Sequence, residues 1–379
     1  MEVPFNVPYL TGRELEHIGQ ALQSGHLSGD GPYTQRCHDF FQERFGYHRV
    51  FLTCSATDAL EMCALLCDLR PGDEVIIPSY TFVSTANAFA LRGATIKFAD
   101  NKPGHPNVGA AQLEPLITSK TKAIVVMHYA GVACPMDEIM ALAKQHKLLV
   151  VEDAAQAIGA SYKGRPLGSI GDLACFSFHE TKNIQCGQGG LAMVNNPELV
   201  ERAEYAWQKG TNRSKFSRGE VNKYRWVDLG SSYLPGESVA AMLWPQLEDL
   251  DRILAMRMNA WNHYHRELQD LSPEVVLPEV PEGCEHNAHI YQLVLPTESL
   301  QLEFTRALKE DGIHAHTHYL SLHDSPYFKP FHDGRPLPEA DRLSQCLVRL
   351  PLYNGISSAQ LEWVVSRCKA FFSEAKLAH

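Results

Sequence analysis

Residues 175–183 read Cys-Phe-Ser-Phe-His-Glu-Thr-Lys-Asn, and residues 187–190 read Gly-Gln-Gly-Gly. The start, 175–178, is short, apolar and rich in β-formers, so it predicts a buried strand. The chain then turns polar, presents Lys182 and meets three glycines within four residues. Glycine lets a backbone approach a ligand closely, so a lysine at such a strand end can sit beside one. Taken alone, the stretch describes an ordinary surface lysine in a loop just as well. A second stretch upstream shifts the balance.

Residues 148–156 read Leu-Leu-Val-Val-Glu-Asp-Ala-Ala-Gln. Four apolar residues predict another buried strand, which ends in Glu152 and Asp153. Ligands of open α/β sheets bind at the carboxyl ends of strands, so an acid and a lysine at two such ends can meet in one crevice. Pyridoxal phosphate requires that pair. A lysine holds it covalently, and an acid partners its protonated ring nitrogen so that the ring draws electrons. Between the two stretches there is room for one hairpin-like excursion, 162–171, with 163–166 as its turn.

Outward from this centre, strands are predicted at 50–53, 74–78, 94–98, 123–127 and 148–151. Helical patterns fall between them at 59–69, 84–91, 113–117 and 136–146. That alternation implies a largely parallel sheet with helices on both faces. Helices are also expected at 10–24, capped by Thr11 with Glu14 three residues on, at 33–45, and at 197–207. The loop 25–32 is too glycine-rich for regular structure and serves either as a lid or as a connector. Residues 55–58 form either a plain helix cap or an anion site at a helix start. Segment 209–228 is long, polar and basic, which marks a solvated or a functional loop. The longest helical stretch is 239–268. Beyond it a smaller α+β region is expected, with strands at 290–295 and 313–319 and helices at 300–311 and 358–373. His314, His316 and His318 would share one face of a strand, with His323 nearby. Zinc could use such a face, but no carboxylate or cysteine stands at matching spacing, and no metal is assigned.

The chain has 379 residues, 45% hydrophobic and 21% charged, enough for one large or two moderate domains. The expected division is 1–250 and 251–379. A formal net charge of -10 argues against a nucleic-acid surface. Ten scattered cysteines without a CxxC pair suit reduced, cytoplasmic thiols. No secretory leader is evident at residues 1–5, and no apolar run is long enough to cross a membrane.

Residues 151–156, 177–183 and 187–190 resemble the signatures of the DegT/DnrJ/EryC1/StrS sugar-nucleotide aminotransferases, and the likeness runs from Pro4 almost to the C-terminus. The phrases 78–87, 128–134 and 209–214 are most similar to members that form 4-amino-4,6-dideoxygalactose. The resemblance implies a fold-type I pyridoxal-phosphate transferase, aspartate aminotransferase-like, with a smaller C-terminal domain. It puts Lys182 on the cofactor, Asp153 on the ring nitrogen, and Gln156 on the ring hydroxyl. Phe82 lies over the ring, and Ala56, Thr57 and Ser177 hold the phosphate. His318 and Tyr319 lie beside the substrate, the loop 25–32 borders its site, and Lys209 and Arg213 of the 209–225 segment are further candidates for holding the nucleotide or the hexose. It further implies a homodimer with shared active sites. Ser232 stands where many relatives carry an asparagine that reaches the partner's cofactor phosphate. The expected reaction converts dTDP-4-keto-6-deoxy-D-glucose to dTDP-4-amino-4,6-dideoxy-D-galactose with L-glutamate as donor. Two departures from the galacto-forming pattern are Gln188, in place of a glutamate, and the run 235–237.

Other outcomes are a gluco product, a 3-amino product, and a catalytically silent cofactor-binding protein. A histidine at 182 would mark a dehydratase, and the lysine there argues for transamination. A nicotinamide oxidoreductase would need a G-x-G-x-x-G turn after the first strand, and no such turn is present.

Overall fold

The computed structural model describes residues 1–377. In chain order its first nine strands are β1 (Arg49–Thr53), β2 (Glu74–Pro78), β3 (Thr95–Ala99), β4 (Thr121–Met127), β5 (Leu149–Asp153), β6 (Ser161–Tyr162), β7 (Arg165–Pro166), β8 (Leu173–Ser177) and β9 (Gly190–Val194). All but β6 and β7 join one seven-stranded sheet in the order β1-β9-β8-β5-β4-β2-β3. β9 runs antiparallel to both neighbours, while the other pairs are parallel. The expected α/β architecture is therefore present. β9 escaped the sequence reading because its apolar residues follow directly on the glycine-rich turn.

These strands are β-branched and apolar because both sheet faces are covered. Ile76, Ile124, Val126, Val150, Ala174 and Phe176 point into one core. Their alternate neighbours Val75, Ile77, Val125, Val151, Leu173 and Cys175 point into the other. The period of two along β5 therefore sends Glu152 and Asp153 to opposite faces. A third core gathers Val3 with residues between Ala260 and Phe372.

Several boundaries differ from expectation, each for a local reason. The helix Ala56–Leu66 starts three residues early because Ser55 caps it, its Oγ accepting from the Asp58 N–H at 3.0 Å. The first helix is Glu14–Gln23, and only the glutamate half of the expected capping box at Thr11 forms. Buried Glu14 accepts from the backbone N–H of Thr11, and also from that of Gly12 and from Gln246. The predicted single helix 239–268 is two, Glu237–Glu248 and Leu250–Glu267, broken at Asp249. Pro245, inside the first of them, removes a ladder hydrogen bond just before the break. The hairpin β6–β7 turns at Lys163 and Gly164 alone, both left-handed at φ 49° and 75°.

Residues 313–319 do not form the expected strand. They hold only the isolated bridges Val3 to Ile313 and His316 to Arg349. The three histidines consequently diverge: His314 meets Glu2, His316 packs edge-on against Phe5, and His318 meets Tyr129.

Candidate active site

Five strand ends open into one cleft of about 510 Å³, lined by Ser55, Ala56, Thr57, Phe82, Met127, Asp153, Ser177, Lys182, His318 and Tyr319, among others. β1 leads into the Ala56–Leu66 helix, whose first N–H groups have no partner inside the helix and carry its positive end. Close approach here depends on Gly190. A Cβ at that position would lie 2.5 Å from Ala56 N and 2.4 Å from the Ser55 carbonyl. β2 delivers Phe82, 53% exposed to the cleft side. Thr57 Oγ1 meets Ser84 Oγ at 2.8 Å, which fixes the hydroxyl at the helix start.

Asp153 closes β5 and is 4% exposed. Its Oδ2 accepts from Thr85 Oγ1 at 2.6 Å, and its Oδ1 accepts from the Ala155 N–H at 3.1 Å. Lys182 follows β8 across a tight turn in which its own N–H donates to the His179 carbonyl. Among the described residues its amine makes no hydrogen bond or ion pair. Burial pulls its pKa down to about 8, against the opposing pull of Asp153, and Arg349 adds to the fall. The amine thus gives up its proton far more readily than an ordinary lysine, and its neutral form can accept one.

A smaller cavity of about 160 Å³ adjoins Lys182 and is lined also by Gln156, Arg257, His289, His318 and Arg349. Gln156 does not point freely into the main cleft. Its Oε1 accepts from the Ala130 N–H at 2.7 Å and its Nε2 donates to Tyr319 Oη at 2.9 Å. Tyr319 is left-handed at φ 47°, costly for an aromatic residue, and is held there by Gln156 and by stacking on His318 at 3.6 Å. Burial pushes the His318 pKa well below its usual value, so that ring is neutral.

The two arginines of this cavity differ: Arg257 is buried, and Arg349 is half-buried. Arg257 uses its donors on the carbonyls of Ala288, His289 and Leu352. Arg349 donates to the Thr317 carbonyl and lies 4.6 Å over the Phe5 ring, but its buried Nε has no partner. No carboxylate of the described residues pairs with it. Sequence reading missed Arg349 and Thr85. A buried charge shows itself only through the partners it lacks or keeps.

Of the residues expected at the site, Gln156, which lines the smaller cavity instead, and Lys209, Arg213 and Ser232 do not line this chain's main cleft. Neither does the loop 25–32. It is pinned by Glu237, whose carboxylate accepts from the N–H groups of Gly31, Tyr33 and Thr34 and whose own N–H donates to the Leu27 carbonyl.

Residues 8–369 match the DegT/DnrJ/EryC1/StrS aminotransferase family. The chain belongs to that family. It is 32% identical over 375 residues to the spore coat polysaccharide biosynthesis protein SpsC of Bacillus subtilis, covering 96% of this chain and 95% of that one. It is 31% identical over 367 residues to the GDP-perosamine synthase of Caulobacter vibrioides, covering 95% of each. Among solved structures, the aminotransferase TlmJ of Streptoalloteichus hindustanus superposes with a TM-score of 0.91 at 27% identity, over 99% of this chain and all of that one. DesV of S. venezuelae, crystallised with a ketimine intermediate, superposes with a TM-score of 0.89 at 29% identity, over 98% of each chain. The protein is thus a fold-type I sugar aminotransferase that uses pyridoxal 5′-phosphate to transaminate a keto sugar. No helix among the described residues is long and apolar enough to cross a membrane.

The cleft fits that cofactor. A helix start with Ala56 and Thr57, and Ser177 at the end of β8, lie in its lining together with the Asp153 carboxylate and the unpartnered Lys182. When bound, the cofactor draws electrons away from the reacting carbon. The residues supply the rest. The helix start would hold the phosphate, and Asp153 would keep the ring nitrogen protonated. Phe82 would cover one ring face.

Proposed function

We propose that the protein transaminates dTDP-4-keto-6-deoxy-D-glucose to dTDP-4-amino-4,6-dideoxy-D-galactose, with L-glutamate as amino donor. The observation that carries this reading is the unpartnered Lys182 in one cleft with Asp153. In this assignment Lys182 carries the cofactor, then moves a proton at C4 of the sugar. Asp153 and Gln156 serve the ring, and Ala56, Thr57 and Ser177 the phosphate. His318 and Tyr319 flank the hexose, where a neutral imidazole does not compete with Lys182 for a proton.

Arg349 receives the donor's carboxylate in the smaller cavity. A desolvated guanidinium without an anion is costly, and a carboxylate matches its planar fork. At about 160 Å³ that cavity suits an amino acid and excludes a nucleotide sugar. The nucleotide must then be met elsewhere.

Lys209, Arg213 and Ser232 fit that need in a homodimer, where they would reach the partner's cleft. The 209–230 segment exposes Phe216, Tyr224, Trp226 (78%), Val227 and Leu229, an apolar surface that suits an interface. We assign residues 1–250 to the large, cofactor-binding domain and 251–379 to the small one. The cytoplasm is the compartment that suits ten free cysteines.

The axial amine follows from likeness to galacto-forming members across 78–87, 128–134 and 209–214. The test is incubation of purified protein with pyridoxal phosphate, L-glutamate and the dTDP keto sugar, or its GDP-linked counterpart, with Lys182→Ala as control. A small H3–H4 coupling in the dTDP product is expected. A large coupling gives the gluco product, an amine on C3 moves the regiochemistry, and preference for the GDP sugar replaces the nucleotide. No product from either sugar would mean that the substrate is a different keto sugar. Sedimentation at nanomolar concentration should show a dimer, and a fully active monomer would refute the shared site.

A further inference from the structure

We propose that Thr81 and Thr85 form a two-hydroxyl relay that orients Asp153 and spreads its negative charge, and so sets how strongly the carboxylate holds the cofactor ring. Both threonines are at most 1% exposed, and neither lines the cleft, so they act through Asp153 as positioning residues. Thr85 sits in the first turn of the helix Val83–Ala90. Its Oγ1 lies 2.6 Å from Asp153 Oδ2 and 2.9 Å from Thr81 Oγ1.

The direction of the chain follows from proton inventory. An ionised carboxylate accepts only, so the single Thr85 hydroxyl proton points at Asp153. Thr85 Oγ1 then has only lone pairs for Thr81, and Thr81 must be the donor between them. Protons therefore run from Thr81 to Thr85 to Asp153. In a buried, low-dielectric setting each bond polarises the next. The second carboxylate oxygen is held by the Ala155 N–H at 3.1 Å and by the Cys175 thiol at 3.7 Å. With donors on both oxygens the carboxylate plane cannot rotate. Part of its charge is drawn away from the cleft, where it would otherwise concentrate on the ring nitrogen.

The relay is tested on the intact, cofactor-loaded protein by following the absorbance of bound pyridoxal phosphate against pH. This titration needs no sugar, so it stands or falls apart from the substrate assigned above. T85V removes the hydroxyl and keeps the shape. Its midpoint should rise by about one pH unit, because a more concentrated negative charge favours the protonated form of the bound cofactor. T81V leaves Thr85 in contact with Asp153 and should move the midpoint the same way by less. T85S should restore the wild-type midpoint. A purely structural role would not produce a graded shift from the outer threonine. An unchanged midpoint in folded T85V overturns the relay. If T85V does not fold, T81V decides: an unchanged or lowered midpoint there overturns it as well.

Discussion

Glu152 and Asp153 are chain neighbours at the end of β5, and they show two uses of a buried acid. Glu152 faces away from the cleft and is fully buried. His128 Nδ1 accepts from the Cys134 N–H, so its proton is on Nε2 and goes to Glu152 at 2.9 Å. Glu152 also accepts from the N–H groups of Gly168, Ile170 and Gly171. Burial by itself would raise its pKa, but these bonds outweigh burial and hold the carboxyl below its usual value. Its inventory is complete, and it ties the β4 end and the 168–171 turn to the sheet. Asp153, one residue on, keeps part of its surface toward the cleft. Arg257 and Arg349 repeat the contrast among cations, one saturated by three carbonyls and the other with an idle buried nitrogen. Saturated buried charges hold the fold, and those with idle capacity await a ligand.

The sharpest way to break that contrast is to swap the acids for amides. Glu152→Gln presents an N–H₂ to donors that need acceptors. It should cost about 3 kcal/mol in urea unfolding, with a loss that shrinks as pH falls. The sign follows from the lowered pKa: the Glu152 contribution is present above the unfolded carboxyl value and is lost as pH falls through the folded one. Asp153→Asn should cost less than about 1 kcal/mol yet slow transamination at least about a hundredfold. Equal effects of the two changes on stability and on rate would erase the distinction.

The arginines give a second, smaller separation. Arg257→Gln leaves buried carbonyls without donors and should destabilise by about 2 kcal/mol. Arg349→Gln should leave stability almost unchanged but slow the half-reaction with L-glutamate by about a hundredfold. The half-reaction of the pyridoxamine phosphate form with keto sugar should change only a few-fold. If the sugar half-reaction fails instead, Arg349 serves the nucleotide. Calorimetric binding of glutarate, which cannot react, checks the same point without turnover.

The smallest effect concerns Lys182. In cofactor-free protein its acylation by acetic anhydride should reach half its maximum near pH 8, because burial lowers its pKa to about 8. The neutral, reactive amine grows as pH rises through that value. Asp153→Asn should move the midpoint lower, since Asp153 opposes the fall. A midpoint in the ordinary lysine range would mean an open, solvated site.

Much of this was legible in the chain itself. Apolar runs ending in an acid, in a lysine and in small hydroxyl residues located β5, β8 and the Ala56–Leu66 helix start, because strand patterning is local and ligands gather at strand ends. The same patterning determined a mostly parallel sheet with helices on both faces. What the sequence could not supply is pairing across distance. That Thr85 meets Asp153, 68 residues on, that Glu237 pins a loop some 200 residues earlier, and that 313–319 is no strand all depend on which side chains meet after folding. Saturation is likewise invisible in sequence: Glu152 and Asp153 are two acids in a row until the sheet turns one toward backbone N–H groups and the other toward the cleft.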